Sequence, residues 1–182
     1  MKQGLFTLME NRRAAADTYL MRLSGDTSGV TAPGQFVNVE VPGLFLRRPF
    51  SVCDWEAETL TVAYRTVGAG TDILCRLRPG AKIDLLTGLG NGFLTAVSGG
   101  APLLIGGGSG ISPLLALARV LAAEGKRVTA VLGAQSRDGL YLTEEIAGTG
   151  ARVILVTENG SAGTKGLVTD VLPGIEHTHV YA

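Results

Sequence analysis

Leu103-Leu104-Ile105-Gly106-Gly107-Gly108-Ser109-Gly110-Ile111-Ser112-Pro113 decides the fold of this chain. The apolar run Leu103 to Ile105 is what a strand buried on both faces of a parallel sheet requires. The glycines turn the chain, and a helix follows. Ser112 is a suitable cap for it, Pro113 suits its first position, and Gly125 can close it. Glycines at this corner let backbone amides approach a pyrophosphate, which side chains would block, and the helix start adds partial positive charge. Gly106, Gly108 and Gly110 meet that need, with Gly107 and Ser109 between them. The match to a dinucleotide fingerprint is incomplete, because Ile111 stands where another glycine is usual. A tight strand-to-helix turn with no ligand would carry the same residues.

Downstream, Val128 to Leu132 and Val153 to Val156 are further buried strands, and His179 to Tyr181 begins another. Leu142 to Ile146 and Leu167 to Leu172 read as helices between them. Alternating strands and helices predict an α/β, doubly wound parallel-sheet nucleotide-binding domain. The chain stops at Ala182, partway through that pattern, so the domain is expected to be truncated. Gly133-Ala134-Gln135-Ser136-Arg137 follows the second strand, with no acidic residue for a ribose. Arg137 is a solvated loop charge or a contact for a 2′-phosphate.

Upstream of Ser98-Gly99-Gly100 the pattern differs. Leu5 to Met9, Tyr19 to Leu23, Phe36 to Val41, Arg48 to Cys53, Leu60 to Thr66 and Lys82 to Leu86 read as short strands. Pro33-Gly34 and Pro42-Gly43 are turns. Thr71 to Leu77 reads as a short helix. Closely spaced strands with one helix predict a small β-barrel. The expected domains are therefore 1-98, a β-barrel, and 99-182, the α/β domain.

Within the barrel, Arg48-Pro49-Phe50-Ser51 can serve a flavin. The arginine can grip a diphosphate, the serine can hydrogen-bond a ring nitrogen, and Pro49 and Phe50 add apolar surface. An edge strand with exposed arginines is the alternative, and Arg47 is expected to be solvated. Tyr64-Arg65-Thr66-Val67-Gly68-Ala69-Gly70-Thr71 is a second glycine-rich corner before a helix. Gly68, Gly70 and the Thr71 hydroxyl can hold a phosphate, or Thr71 can simply cap the helix.

Lysine plus arginine balance aspartate plus glutamate at 16 each, so nothing steers the chain toward nucleic acid. No apolar run approaches the roughly 20 residues that span a bilayer. The N-terminus has no long apolar stretch of the signal-peptide kind. The two cysteines, Cys53 and Cys75, read as reduced thiols, and a cytoplasmic location follows as the expectation. Cys53 is expected to be buried and Cys75 to lie inside the short helix. His177 and His179 lack a third ligand nearby, so no metal site is expected. Motifs of hydrolases and of Walker-type phosphate loops are absent.

Together these residues resemble the ferredoxin-reductase-like flavoproteins, and within them the electron-transfer subunits of NAD-linked dihydroorotate dehydrogenase. The resemblance spans nearly the whole chain. It rests on Pro33-Gly34-Gln35-Phe36, Leu46 to Asp54, Tyr64 to Thr71, Gly88-Leu89-Gly90-Asn91-Gly92-Phe93 and Gly106 to Leu114. It implies that Arg48 and Ser51 contact FAD, with Pro49 and Phe50 beside the flavin. Tyr64, Arg65 and Val67 would line its ribityl and ring side, and Gly70 and Thr71 would hold its diphosphate. Gly106 to Gly110 would meet NAD. The implied partner is an FMN-containing dihydroorotate dehydrogenase catalytic subunit, in a heterotetramer. Electrons would pass from it through a [2Fe-2S] cluster and FAD to NAD, in pyrimidine biosynthesis. The family's cluster cysteines lie in a C-terminal segment absent from this sequence, and Cys53 and Cys75 do not replace them. Two other readings stay open: another NAD(P)H-linked flavin or ferredoxin reductase component, and a non-catalytic module that kept the fold.

Overall fold

Strands of alternating burial build the first half: β1 (Lys2–Arg13), β2 (Thr18–Ser24), β3 (Phe36–Val39), β4 (Arg48–Trp55), β5 (Thr59–Arg65) and β6 (Lys82–Leu89). A computed structural model describes residues 1–182. All neighbours pair antiparallel in the order β1-β2-β5-β4-β3-β6, and β6 returns to β1, closing a barrel. The period-two pattern sends one face inward. Val37 and Val39 join Phe6, Met21, Leu60 and Val62 in the interior, while Asn38 is half-exposed between them. Fully burying an aliphatic or aromatic side chain of this size contributes about 1.5–3 kcal/mol. The register of β4 against β5 slips between Val52 and Asp54. That bulge lets the consecutive Val52 and Cys53 both be fully buried.

After β5 the chain turns into α1 (Ala69–Leu74). The helix starts and stops earlier than the expected Thr71 to Leu77. Cys75 lies just past its end, not inside it. Arg47 is not solvated either. Its guanidinium meets the Asp84 carboxylate at 2.5 Å and the Asp84 carbonyl at 3.0 Å, tying the segment before β4 to β6.

The second half is a parallel sheet of β7 (Pro102–Gly107), β8 (Thr129–Ala134), β9 (Arg152–Thr157), β10 (Thr164–Lys165) and β11 (His179–Tyr181). Its order is β10-β9-β8-β7-β11. Successive strands step outward from β7 in one direction, and β11 then joins β7 on its other side. β7 is therefore the point at which strand order reverses, where open α/β sheets bind ligands beyond the carboxyl ends of their strands. One face carries α2 (Leu114–Ala123), whose Leu114, Leu117 and Leu121 are buried. The other carries a 3₁₀ turn, Val168–Val171, packed with Leu172 and Ile175 on Leu103, Val131 and Val156.

The chain divides into two compact units, Met1–Gly92 and Phe93–Ala182. The division falls a little before the expected boundary at 98. The intervening residues are held by the second unit: Tyr181 donates to the Leu94 carbonyl at 2.9 Å and Lys126 to that of Thr95 at 3.1 Å. No helix is long and apolar enough to cross a membrane.

Local corrections have physical causes. Pro113, not Ser112, takes the cap position of α2, and no side chain caps that helix. The Ser112 hydroxyl is buried and bonds Tyr141 instead. The helix expected from Leu142 begins one residue later, as α3 (Thr143–Gly148), because Leu142 itself is left-handed at φ 58°. Leu167 to Leu172 closes only as the short 3₁₀ turn, with the Asp170 carboxylate accepting the Leu167 N–H at 2.8 Å. β10 was not expected at all.

Candidate functional site

The first candidate region lies where β4, β5 and α1 converge. Arg48 pairs with Val39 and Phe50 with Val37, so both share the face of those buried valines. Pro49 and Ser51 pair with Asn38 and Phe36 and point the other way. Strand alternation thus divides the expected tetrapeptide. Phe50 stacks obliquely on Tyr64 with centroids 5.3 Å apart, and Tyr64 stacks in turn on Tyr19 at 5.7 Å. Tyr64 is almost fully buried, which pushes its phenol well above the ordinary value and keeps it neutral. Its hydroxyl donates to Asn11 Oδ1 at 2.8 Å, and Asn11 Nδ2 donates to the Leu74 carbonyl at 2.9 Å. Asn11 fixes both the aromatic wall and the end of α1. Its role was invisible in the sequence, where it sits far from its partners in an unremarked strand end.

Arg48 differs from Arg47 in having no carboxylate partner. Its Nη1 donates only to the carbonyls of Leu46 at 2.7 Å and Arg47 at 3.4 Å. Its guanidinium lies over Gly70, where an added Cβ would come within 2.9 Å of Nε. A full positive charge therefore sits at the first turn of α1, where N–H groups lack intrahelical acceptors. The combination favours an anion. Gly68 has extended backbone at φ 169°, and a Cβ there would meet nothing within 4 Å. The fold does not need glycine at that position, and a closely approaching ligand would.

Thr71 is not the cap residue of α1, and its hydroxyl bonds within the corner. Its hydroxyl accepts the Val67 N–H at 2.9 Å and donates to the Gly68 carbonyl at 2.9 Å. It shapes the corner from the third helical position, while Gly68 holds the cap position. Val67 is exposed on the same corner. Arg65 faces away from Tyr64 and is paired with Asp17, Nε to Oδ2 at 2.9 Å. Those hydrogen bonds hold the Asp17 carboxyl below its usual range. The structure thus brings Arg48, Phe50, Tyr64, Gly68, Gly70 and Thr71 together. Pro49, Ser51, Arg65 and Val67 flank them.

The second candidate region is the loop after β7, at the order reversal. Its glycines answer to different constraints. A Cβ on Gly106 would lie 2.6 Å from Leu114 Cδ1 and 2.8 Å from the Gly110 carbonyl, so close packing on α2 requires it. Gly108 is required by its left-handed φ of 53°. Gly107 and Gly110 are required by neither: a Cβ on Gly110 meets nothing within 4 Å, and one on Gly107 only an atom at 3.9 Å. Glycines that packing and backbone both leave free fit an approach by a pyrophosphate. Beneath the loop, the Tyr141 hydroxyl lies 2.8 Å from Ser112 Oγ and donates to the Gly108 carbonyl at 3.1 Å. Arg137 is exposed after β8, and its backbone N–H bonds Ser161 Oγ at 2.8 Å.

Both cysteines are free thiols. Cys53 is buried in β4 and the Cys75 thiol meets the Asp72 carbonyl at 3.2 Å.

No family model matches the chain. It is 43% identical over 180 residues to "Dihydroorotate dehydrogenase B (NAD(+)), electron transfer subunit" of Geobacillus sp. (strain WCH70), covering 94% of this chain and 70% of that protein. The protein of the same name from Streptococcus mutans serotype c is 38% identical, with 97% and 70% covered. Among solved structures, NADH-dependent reduced ferredoxin-NADP oxidoreductase superposes with a TM-score of 0.81 at 30% identity, covering 92% of this chain and 61% of that one. Phthalate dioxygenase reductase, at 20% identity and a TM-score of 0.77, shares the fold and has 59% of its chain covered. The barrel, the parallel sheet and these identities over two thirds or more of the curated relatives agree: this chain belongs to the electron-transfer subunits of NAD(+)-linked dihydroorotate dehydrogenase, oxidoreductase components with a ferredoxin-reductase-like fold.

Proposed function

We propose that the first unit binds FAD, the second binds NAD, and the chain carries electrons from a dihydroorotate-oxidising partner to NAD+. The observation that supports this best is Arg48, whose charge has no carboxylate partner and overlies Gly70 at the start of α1. Arg48 would take the FAD diphosphate together with the first N–H groups of α1. Phe50 and Tyr64 would bound the flavin with apolar surface, and the neutral phenol adds no charge there. Gly107 and Gly110 would let the loop amides reach the NAD pyrophosphate. A bound flavin supplies the chemistry that links single-electron delivery to two-electron reduction of a nicotinamide.

The partner would be an FMN-containing catalytic subunit, in a heterotetramer serving pyrimidine biosynthesis in the cytoplasm. A [2Fe-2S] carrier in that route would need thiolates beyond Cys53 and Cys75, since it takes four ligands. The test is flavin retention. The chain should purify with flavin absorbance and keep it through dialysis, and Arg48→Ala should lose it. A colourless chain that also rejects added FAD would instead favour a non-catalytic module.

A further inference from the structure

The pair beneath the glycine loop has no part in the reading above, yet it is unusually placed. Tyr141 and Ser112 are both almost fully buried, at 4% and 3% exposure. Their hydroxyls meet at 2.8 Å, and Tyr141 Oη also lies 3.1 Å from the Gly108 carbonyl and 3.5 Å from that of Ser109. Carbonyls only accept. The proton order is therefore Ser112 to Tyr141 to Gly108, with each hydroxyl donating once.

A second observation marks the same spot. Leu142, next to Tyr141, is the one non-glycine residue with positive φ, at 58°. Such backbone is unfavourable for an L-residue. It is held where Leu142 is buried and Tyr141 is drawn under the loop.

The consequence lies in the Gly108–Ser109 peptide. In a trans peptide the C=O and the following N–H point in opposite directions. Holding the Gly108 carbonyl inward on Tyr141 turns the Ser109 N–H outward, on an exposed loop beside Gly110. Left-handed Gly108 followed by exposed amides is the geometry of an anion-binding nest.

We propose that Tyr141 and Ser112 are positioning residues for the dinucleotide: they fix the Gly108–Ser109 peptide so that its amide faces the pyrophosphate. This rests on the reading of the loop as the NAD site. Neither residue touches the ligand. Tyr141→Phe keeps the ring and removes the link, leaving the peptide free to turn.

The test is calorimetric titration of the oxidised, FAD-loaded chain with NAD+, at a temperature well below its Tm, with flavin absorbance recorded. Tyr141→Phe should weaken NAD+ binding about 3- to 10-fold, the worth of one hydrogen bond, with flavin content unchanged. Ser112→Ala should weaken it less. The double variant should be no weaker than Tyr141→Phe alone, because Ser112 acts through Tyr141. Tyr141→Phe with parental NAD+ affinity, whatever its Tm, overturns the inference, and additive effects overturn the order of the link. Gly110→Ala serves as the control. If it too binds NAD+ like the parent, or if the parent binds none, the loop reading itself fails. If Gly110→Ala weakens binding and Tyr141→Phe does not, only the positioning role is lost.

Discussion

Gly106 and Gly110 bound one loop yet should fail in different ways when changed. Gly106→Ala drives a methyl into Leu114 and the Gly110 carbonyl. Overpacking of that kind costs about 1–3 kcal/mol, so thermal unfolding should shift down. Gly110→Ala meets nothing, so its Tm should stay at the parent's while NAD+ affinity falls on the order of 10- to 100-fold through a lost charge-assisted contact. Calorimetry and a melting curve on both variants separate the two. A parental NAD+ affinity in Gly110→Ala would show the loop to be only a turn. Gly108→Val is a poorer probe, since a β-branched side chain at φ 53° adds backbone strain to any lost binding. Arg48→Ala removes the charge above Gly70 and should weaken FAD retention, with about 1.5–3 kcal/mol at stake. Retention equal to the parent's after exhaustive dialysis would reassign the arginine.

Asn11 connects three elements, bonding Tyr64 in β5 and Leu74 in α1 from its own place in β1. Asn11→Ala leaves the buried Tyr64 hydroxyl and a helix-end carbonyl without that partner. It should cost the barrel about 1–3 kcal/mol, read as a lower denaturation midpoint at unchanged m. The strand ends at Asp17 and Arg65 carry a pH signature. Asp17 is held below its ordinary 3.8, so its contribution is complete above that value and lost as pH falls toward the folded one. The pair is half-exposed, so the effect should stay under about 1 kcal/mol, and Asp17→Asn should flatten the acid limb of a stability profile. At this scale the sequence was readable wherever side chains repeat with a period. Val37, Asn38 and Val39 announced β3, and Leu103 to Ile105 announced β7. It was opaque where a partner comes from far along the chain. Ser112 has the composition of a cap, but Tyr141 takes its hydroxyl. Arg47 and Arg48 are adjacent, and the carboxylates of Asp84 and Glu40 distinguish the structural arginine from the one without a carboxylate partner. β10 is too short to show any period.

Across these 182 residues, two cysteines set a limit on electron carriers. A [2Fe-2S] centre needs four ligands, and Cys53 and Cys75 supply two thiols at most. Iron and acid-labile sulfide measured after anaerobic reconstitution of these 182 residues should be far below one cluster per chain. Stoichiometric iron and sulfide would mean that the ligand count is wrong. The two sheets also meet crowding differently. The barrel closes β6 on β1 and leaves no free rim of N–H and C=O groups. The parallel sheet does have a rim at β10, two residues with an exposed lysine. A strand that short gives a neighbouring chain too short a ladder for edge-to-edge association. Heating that frees β10 would uncover β9, and with it a longer edge for such pairing.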